Sequence, residues 1–225
     1  LAGSFRQMAT TIPISANELA RLGETAGALG IQGVDNIQEF ARVTALLGVT
    51  TNLSADQAAE SLGKISNAYK FSTKELEQFA SALVDLGNKG ASTEDAIIAI
   101  AARSAGAAQT IGIAKDEFLG WAAAIANIPG IEIEAGGTSL QRFFIRTAQY
   151  ISEGKDELDL LAKTAGTTGK IFRENFNADP SSALGAFIQG LGRLDRDARL
   201  AVLAALGFDD ARLFAAINGL AVNTD

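Results

Sequence analysis

The feature of this sequence that most constrains its fold is a helix-start pattern that recurs at nearly even spacing. In a capping box, a Ser, Thr or Asp side chain accepts a hydrogen bond from the amide three residues on, and a Glu or Gln there reaches back to the cap amide. Successive full and partial matches are separated by 18 to 24 residues, which leaves room for one helix and a short loop each time. The full matches begin at Ser15, Asp35, Ser54, Ser72 and Thr138, and the partial matches are Ser92–Asp95 and Ala114–Glu117.

The residues that follow each start have the apolar period of a helix. Leu76, Phe79 and Leu83 follow the start at Ser72, and spacings of three and four place such residues on one helix face. Alternating strand patterns are absent, and the sequence contains only three Pro. The sequence therefore predicts an all-α fold, a compact array of about ten short-to-medium helices joined by tight turns capped by Gly or Ser.

The segment from Ala96 to Ala108 differs from the others because its small and apolar residues would cover nearly the whole circumference of a helix. This composition is typical of a helix that neighbours contact on several sides, so we predict a central helix here. The longer run at 96–114 is also the best candidate for a membrane span. Arg103 and Gln109 interrupt it, and a buried helix is therefore the favoured interpretation.

The strength of these signals divides the chain into three parts. Residues 1–14 are expected to be the N-terminal segment of a longer chain, because the sequence begins at Leu1 without an initiator methionine or a signal-peptide pattern. Residues 15–152 are predicted to form a helical core domain. Residues 153–225 are predicted to form a C-terminal helical portion packed on the core after an extended connection at 166–178, where the sequence is Gly-led and aperiodic.

Three further helices are predicted in the C-terminal portion after that connection. Asp179 precedes Pro180, and a cap residue followed by Pro at the first helical position is a typical helix start. The other two helices run through Val202, Leu203 and Leu206 and from Asp209 through Leu213, Phe214 and Ile217.

The composition excludes several kinds of chemistry. The sequence contains no Cys and no His, which excludes disulfides, thiolate metal sites and catalytic mechanisms of the Ser-His or Cys-His type. The net charge is −7, from 26 acidic and 19 basic residues. This balance argues against general nucleic-acid binding, since such proteins neutralise phosphates with Lys and Arg.

Three short stretches have some features of functional sites. Glu132 and Glu134 form a carboxylate pair of the kind that glycosidases use, but no aromatic sugar platform lies nearby. The GTTGK run at 166–170 lacks the spacing of a phosphate-binding loop, and a flexible turn is the favoured interpretation. The glycines of the AGG run at 135–137 precede a predicted helix start, where an anion could bind, but a tight interhelical turn is favoured.

The remaining polar and aromatic candidates have structural interpretations. Glu94 and Asp95 lie in a predicted first helical turn, where acidic side chains interact favourably with the helix dipole. The aromatic residues on helical stripes are interpreted as core. They are Trp121, Phe143, Phe144, Phe187 and Phe214. We therefore predict no catalytic residue, no cofactor-binding residue and no metal ligand in this chain.

The ordered series of segments resembles the core region of phage tail tape-measure proteins of the minor tail protein type. No single segment is specific for the family, because each is only a cap followed by a helix. The order of the segments is specific. The segments that carry the resemblance are LSADQAAESLGKI, FSTKELEQFASALVDL, ASTEDAIIAIAARSAGAA, GIAKDEFLGWAAAIAN and GIEIEAGGTSLQRFF. Two departures from the family pattern are Ala114, in place of a cap Ser, and the additional Gly of the pair Gly136–Gly137.

The resemblance implies that the chain is a fragment of a much longer structural protein of a phage or prophage tail. Such a protein sets tail length, fills the tail tube and assists DNA ejection into the host. It is made in the bacterial host cytoplasm and resides in the virion tail, in the tube lumen or at the tip. The implied partners are further copies of itself, as a trimer or a hexamer, tail tube, tail-tip and tail-assembly chaperone proteins, and the host membrane during ejection. The family offers no catalytic residues or cofactors for this region.

Three other functions stay open at this point. A helical-repeat adaptor would bind peptides in a groove, but the drift in repeat length from 18 to 24 residues argues against it. A tail-associated peptidoglycan-degrading domain would use Glu132 or Glu134. The run at 96–114 could also insert into a membrane if the domain unfolded during ejection.

An assay on the purified chain separates the enzyme from the structural protein. We expect no release of soluble fragments from peptidoglycan, because alternating carboxylates are also what a solvent-facing turn presents. Release that is lost in the Glu134→Gln variant would contradict this expectation and establish the enzyme.

Overall fold

The computed structural model describes residues 1–208 and 210–222, and over these residues the chain is all-α, as predicted. The described part contains thirteen helices and no strand, a few more helices than the sequence predicts. The helices are α1 (Ala2–Met8), α2 (Ala16–Ala28), α3 (Val34–Thr50), α4 (Ala55–Tyr69), α5 (Thr73–Lys89), α6 (Glu94–Thr110), α7 (Lys115–Ala126), α8 (Ile133–Glu153), α9 (Asp156–Thr164), α10 (Gly169–Ala178), α11 (Pro180–Arg193), α12 (Arg196–Ala205) and α13 (Ala211–Val222).

Three of the predicted capping boxes are confirmed with both hydrogen bonds in place. Ser15, Ser54 and Ser72 each accept from the amide three residues on, and each receives the returning bond from the Glu or Gln at that position. At the start of α5, for example, the Ser72 amide donates to Glu75 Oε2 over 2.8 Å. The first turns of α2, α4 and α5 are therefore fixed by local sequence.

Two predicted starts, those at Asp35 and Thr138, are wrong. The cap of α3 is Gly33, whose φ of +91° favours glycine, so Asp35 lies inside the first turn. Helix α8 begins at Ile133, before the predicted cap at Thr138, whose hydroxyl donates to the Glu134 carbonyl over 2.9 Å. The AGG run at 135–137 is consequently helical, and the favoured interpretation as a tight interhelical turn is wrong.

The start of α6 also differs from the prediction. Its N-cap is Thr93, which makes no side-chain capping bond. Ser92, the predicted cap, instead donates through its hydroxyl to Asn127 Oδ1 over 2.7 Å, and the same oxygen accepts from the Ala91 amide over 3.1 Å. This long-range bond withdraws Ser92 from capping and ties the turn before α6 to the residue that ends α7. The N-cap of α7 is Ala114, as predicted.

Helix α6 is the central helix of the fold, as its composition predicts. It contacts α4, α5, α7 and α8, and Ile97, Ile98 and Ala101 in it are completely buried. The glycines of α8 allow a close contact with α6, since a Cβ on Gly136 would lie 3.2 Å from Ile100 Cδ1 and one on Gly137 would lie 3.0 Å from the Arg103 Cβ. A row of repeats in which each unit contacts only its neighbours would not give one helix so many partners.

The extended connection predicted at 166–178 is wrong, because α10 occupies most of it. The Thr168 hydroxyl accepts from the Ile171 amide over 3.4 Å and caps the helix. Phe172 and Phe176, four residues apart, are 1% and 6% exposed. Burial of these two rings on one face favours the helix, although the intervening Arg, Glu and Asn residues conceal the period.

The last helices contact the rest of the fold through α13, which packs against α7, α8 and α11. Arg146 and Tyr150 of α8 donate to the carbonyl oxygens of Gly207 and Leu206 after α12. The predicted start at Asp209 lies outside the described residues. The helix predicted to follow it is observed, and its Leu213 is buried. The division of the chain at 152 and 153 stays a prediction.

The substitutions Gly190→Ala and Gly185→Ala in α11 form a matched pair that tests the contact of α11 with α9. A Cβ on Gly190 would overlap the carbonyl oxygen of Thr164, so this substitution should lower the free energy of unfolding by about 1–3 kcal/mol. A Cβ on Gly185 would meet no atom within 4 Å, and the higher helix propensity of Ala should raise the free energy of unfolding by about 0.5–1 kcal/mol. Urea denaturation followed by circular dichroism measures both, and equal effects would contradict the contact.

Candidate interaction surface

The two carboxylates that most resemble an enzyme site lie on the surface at the start of α8. Glu132 is the N-cap residue and is exposed. The Glu134 side chain is 85% exposed and its Oε1 lies 3.7 Å from the Arg103 guanidinium. An exposed carboxylate beside a cation has the arrangement of a solvated ion pair.

Glu94 and Asp95 lie in the first turn of α6, as predicted. Glu94 is buried against α5, where a Cβ on Gly87 would lie 2.5 Å from the Glu94 Cδ. The carboxyl oxygen Oδ1 of Asp95 is buried without a hydrogen-bond partner. Within 1–208 and 210–222, no group of three or more acidic residues could hold a metal ion.

The GTTGK run forms the turn into α10 instead of a phosphate-binding loop. Gly169 is the first residue of the helix and is buried. A Cβ on Gly169 would overlap the Asp159 carboxylate, so a negative charge already lies where a phosphate would approach. Glycine is needed here for close packing of α9 against the start of α10.

The helix that covers most of the run at 96–114 is α6, which has 17 residues. Among the helices formed by residues 1–208 and 210–222, none combines the length and the apolar character that crossing a bilayer requires.

A charged network joins α5 to α7. Lys115 Nζ contacts Glu75 Oε1 and lies 5.7 Å from the centroid of the Phe71 ring. The hydrogen bond from Lys115, together with those from the Ser72 backbone and side chain, lowers the pKa of Glu75 from 4.5 to about 2. The capping box at Ser72 indicates the role of Glu75 in the sequence, but no local pattern indicates a partner 40 residues away.

A groove lies between α7 and α11, and Leu220 of α13 also lines it. We call it the Trp121 groove, and its volume is about 610 Å³. The Trp121 indole N–H donates to Ser181 Oγ over 2.9 Å and bridges the two helices. Ile188 and Leu220 add apolar surface, and Gly120 and Gly185 leave the two walls open.

Trp121 is only partly core, in contrast to its predicted role. Its ring lies 5.8 Å from Phe144, measured between centroids, but one side of the indole lines the groove. Phe143, Phe144 and Phe187 are completely buried, as predicted, and Phe214 is partly buried. Small residues four apart, Gly120 with Ala124 and Ser181 with Gly185, are the sequence signal that could have indicated the groove.

Three carboxylates lie close to one another beside the Trp121 groove, and one of them belongs to its lining. Glu117 lines the groove, and burial, followed by the nearby charges of Asp179 and Asp116, raises the pKa of Glu117. The Asp179 side chain also caps α11 by accepting from the Ser182 amide over 3.0 Å. The surface beside Glu117 is therefore acidic.

The substitution Lys115→Met tests the charged network through its dependence on pH. The folded-state pKa of Glu75 lies below its ordinary value of 4.5, so the stabilisation is complete above about pH 4.5 and disappears as the pH falls toward 2. We expect Lys115→Met to lower the melting temperature at pH 7, and the difference from the unsubstituted chain to shrink below pH 4.5. Lys74→Met, which removes an exposed cation without an observed ion pair in the described structure, is the control. A difference that stays constant with pH would contradict the network.

Comparison with known proteins identifies the family. A family model described as phage-related minor tail protein matches residues 3–207, which contain α6, the charged network and both walls of the Trp121 groove. No curated protein and no solved structure matches the chain. The family is one of structural components of the phage tail, which places the chain in the virion tail in association with other tail components. The chain belongs to the phage-related minor tail protein family.

Proposed function

We propose that this chain is a region of a tape-measure protein, which sets the length of a phage tail, fills the tail tube and assists DNA ejection. The observation that carries the proposal is the family match over residues 3–207. The order of the helical segments supports the finer assignment, because it resembles the core region of tape-measure proteins. The chain acts in this proposal as a structural element without catalytic activity.

The charge of the chain is consistent with a protein that shares a tube with DNA. Its net charge is −7. Several basic residues are engaged by acidic ones, for example Arg42 with Glu39 and Glu77 at 2.6 and 2.7 Å. A net negative charge repels phosphates, and basic residues held in ion pairs are less available to bind them. DNA can then pass the protein without being retained.

The proposed partners are further copies of the protein, as a trimer or a hexamer, and the tail tube, tail-tip and tail-assembly chaperone proteins. The proposed location is the tube lumen or the tip. Contact with the host membrane during ejection is part of the same proposal, and it requires the buried face of α6 to become exposed.

The fold makes the length-setting proposal quantitative. A compact domain of 225 residues has a diameter of about 45 Å, from the usual scaling of the radius of gyration. The same residues in one continuous helix would span about 340 Å. The contribution to tail length therefore reports which state the chain adopts in the tail.

An in-frame deletion and an in-frame duplication of this segment in the full-length gene test the proposal. We expect shorter and longer tails respectively, by similar amounts, in electron micrographs of virions. A change of about 45 Å indicates that the compact fold is kept, and a change of about 340 Å indicates continuous helix.

The control is Glu24→Gln, a surface substitution of equal chain length, which should leave the tail length unchanged. Virions whose mean tail length is the same with the deletion and with the duplication would contradict the length-setting role.

A further inference from the structure

The shape of the Trp121 groove suits the binding of a helix. Its walls are two neighbouring helices, α7 and α11, and the Trp121–Ser181 hydrogen bond holds them together. A Cβ on Gly120 or on Gly185 would meet no atom within 4 Å, so neither glycine is required by packing within the chain. The open space above them is available to side chains from outside.

The polar groups of the groove argue against a small polar ligand. Ligand sites for such molecules present a few convergent donors and acceptors. Here the Trp121 N–H and the Ser181 oxygen already bond to each other over 2.9 Å. Asn127 Oδ1 is also engaged, by the Ala91 amide and the Ser92 hydroxyl. Apart from Gln189 and Glu117, the remaining lining is apolar or of small residues, which suits the apolar stripe of an amphipathic helix.

The negative charges beside the groove indicate that the occupant is positively charged. No ion pair within residues 1–208 and 210–222 involves Glu117, Asp116 or Asp179. Asp179 accepts a hydrogen bond from the Ser182 amide, but no ion pair of the described chain offsets the repulsion among the three carboxylates, which contributes to the raised pKa of Glu117. A Lys or Arg from a partner would relieve this repulsion.

We propose that the Trp121 groove is the docking site for a basic amphipathic helix of another tail protein. Apolar side chains of that helix enter between Gly120 and Gly185 and contact Trp121. Its Lys or Arg side chains meet Glu117 and Asp179. A second copy of this chain is the competing occupant, and the experiment below distinguishes it. The inference does not depend on the length-setting role.

Two synthetic helical peptides with the same Leu and Ala stripe test the proposal on the purified chain. One carries Lys at its polar positions and the other carries Glu. The chain contains a single Trp, so its indole N–H resonance and its fluorescence report occupancy of the groove directly. We expect the Lys peptide to shift the indole signal and to bind at least about tenfold more tightly than the Glu peptide, with a difference that decreases in high salt.

Substitutions on both walls locate the binding. Gly185→Leu and, separately, Gly120→Leu fill the groove from opposite sides. Each should lower the affinity for the Lys peptide by about tenfold or more. Gly106→Leu in α6 is the matched control, because Gly106 is also exposed and also faces open space. Circular dichroism confirms that each variant is folded.

Substitutions of charge complete the experiment. Glu117→Gln should lower the affinity for the Lys peptide severalfold without lowering the affinity for the Glu peptide. The control Glu24→Gln on α2 should change neither affinity. Equal binding of the two peptides, or full binding by both groove-filling variants, would overturn the proposal. So would self-association of the unsubstituted chain that Gly185→Leu abolishes, since a second copy would then occupy the groove.

Discussion

The rest of the structure depends on the burial of α6. Ala and Ile make up ten of the seventeen residues of this helix, and nine of the seventeen are buried. Each fully buried Ile contributes about 1.5–3 kcal/mol relative to exposure. The small residues contribute in a different way, because they allow the backbones of neighbouring helices to come close.

The contact of α6 with α8 shows how that closeness is achieved. Gly136 and Gly137 leave no side chain between the two helices, and any larger residue would press on Ile100 or Arg103. Helix α8 in turn supports α9 and α13. The position of the C-terminal helices, and with it the wall that α11 gives to the Trp121 groove, therefore follows from the packing around α6.

The capping-box pattern predicts those helix starts whose hydrogen bonds are all made within the first turn. Ser15, Ser54 and Ser72 form capping boxes with residues three positions away, so both partners of each box can be read from local sequence. Ser92 has the same local sequence character, but Asn127 binds its hydroxyl. Helix α8 starts before the cap predicted at Thr138, whose hydroxyl donates to the Glu134 carbonyl inside the helix. The Trp121 groove was not predicted, because its lining comes from α7, α11 and α13, which are distant in the sequence.

The measurement that tests the central role of α6 most directly is native-state hydrogen exchange at increasing denaturant concentration. If α6 holds the fold together, its amides should exchange only by global unfolding, with the highest opening free energy in the chain, and those of α8 should join them. Lower opening free energies in α6 than in α2, α3 or α11 would contradict the account, because outer helices would then persist after their central support has opened.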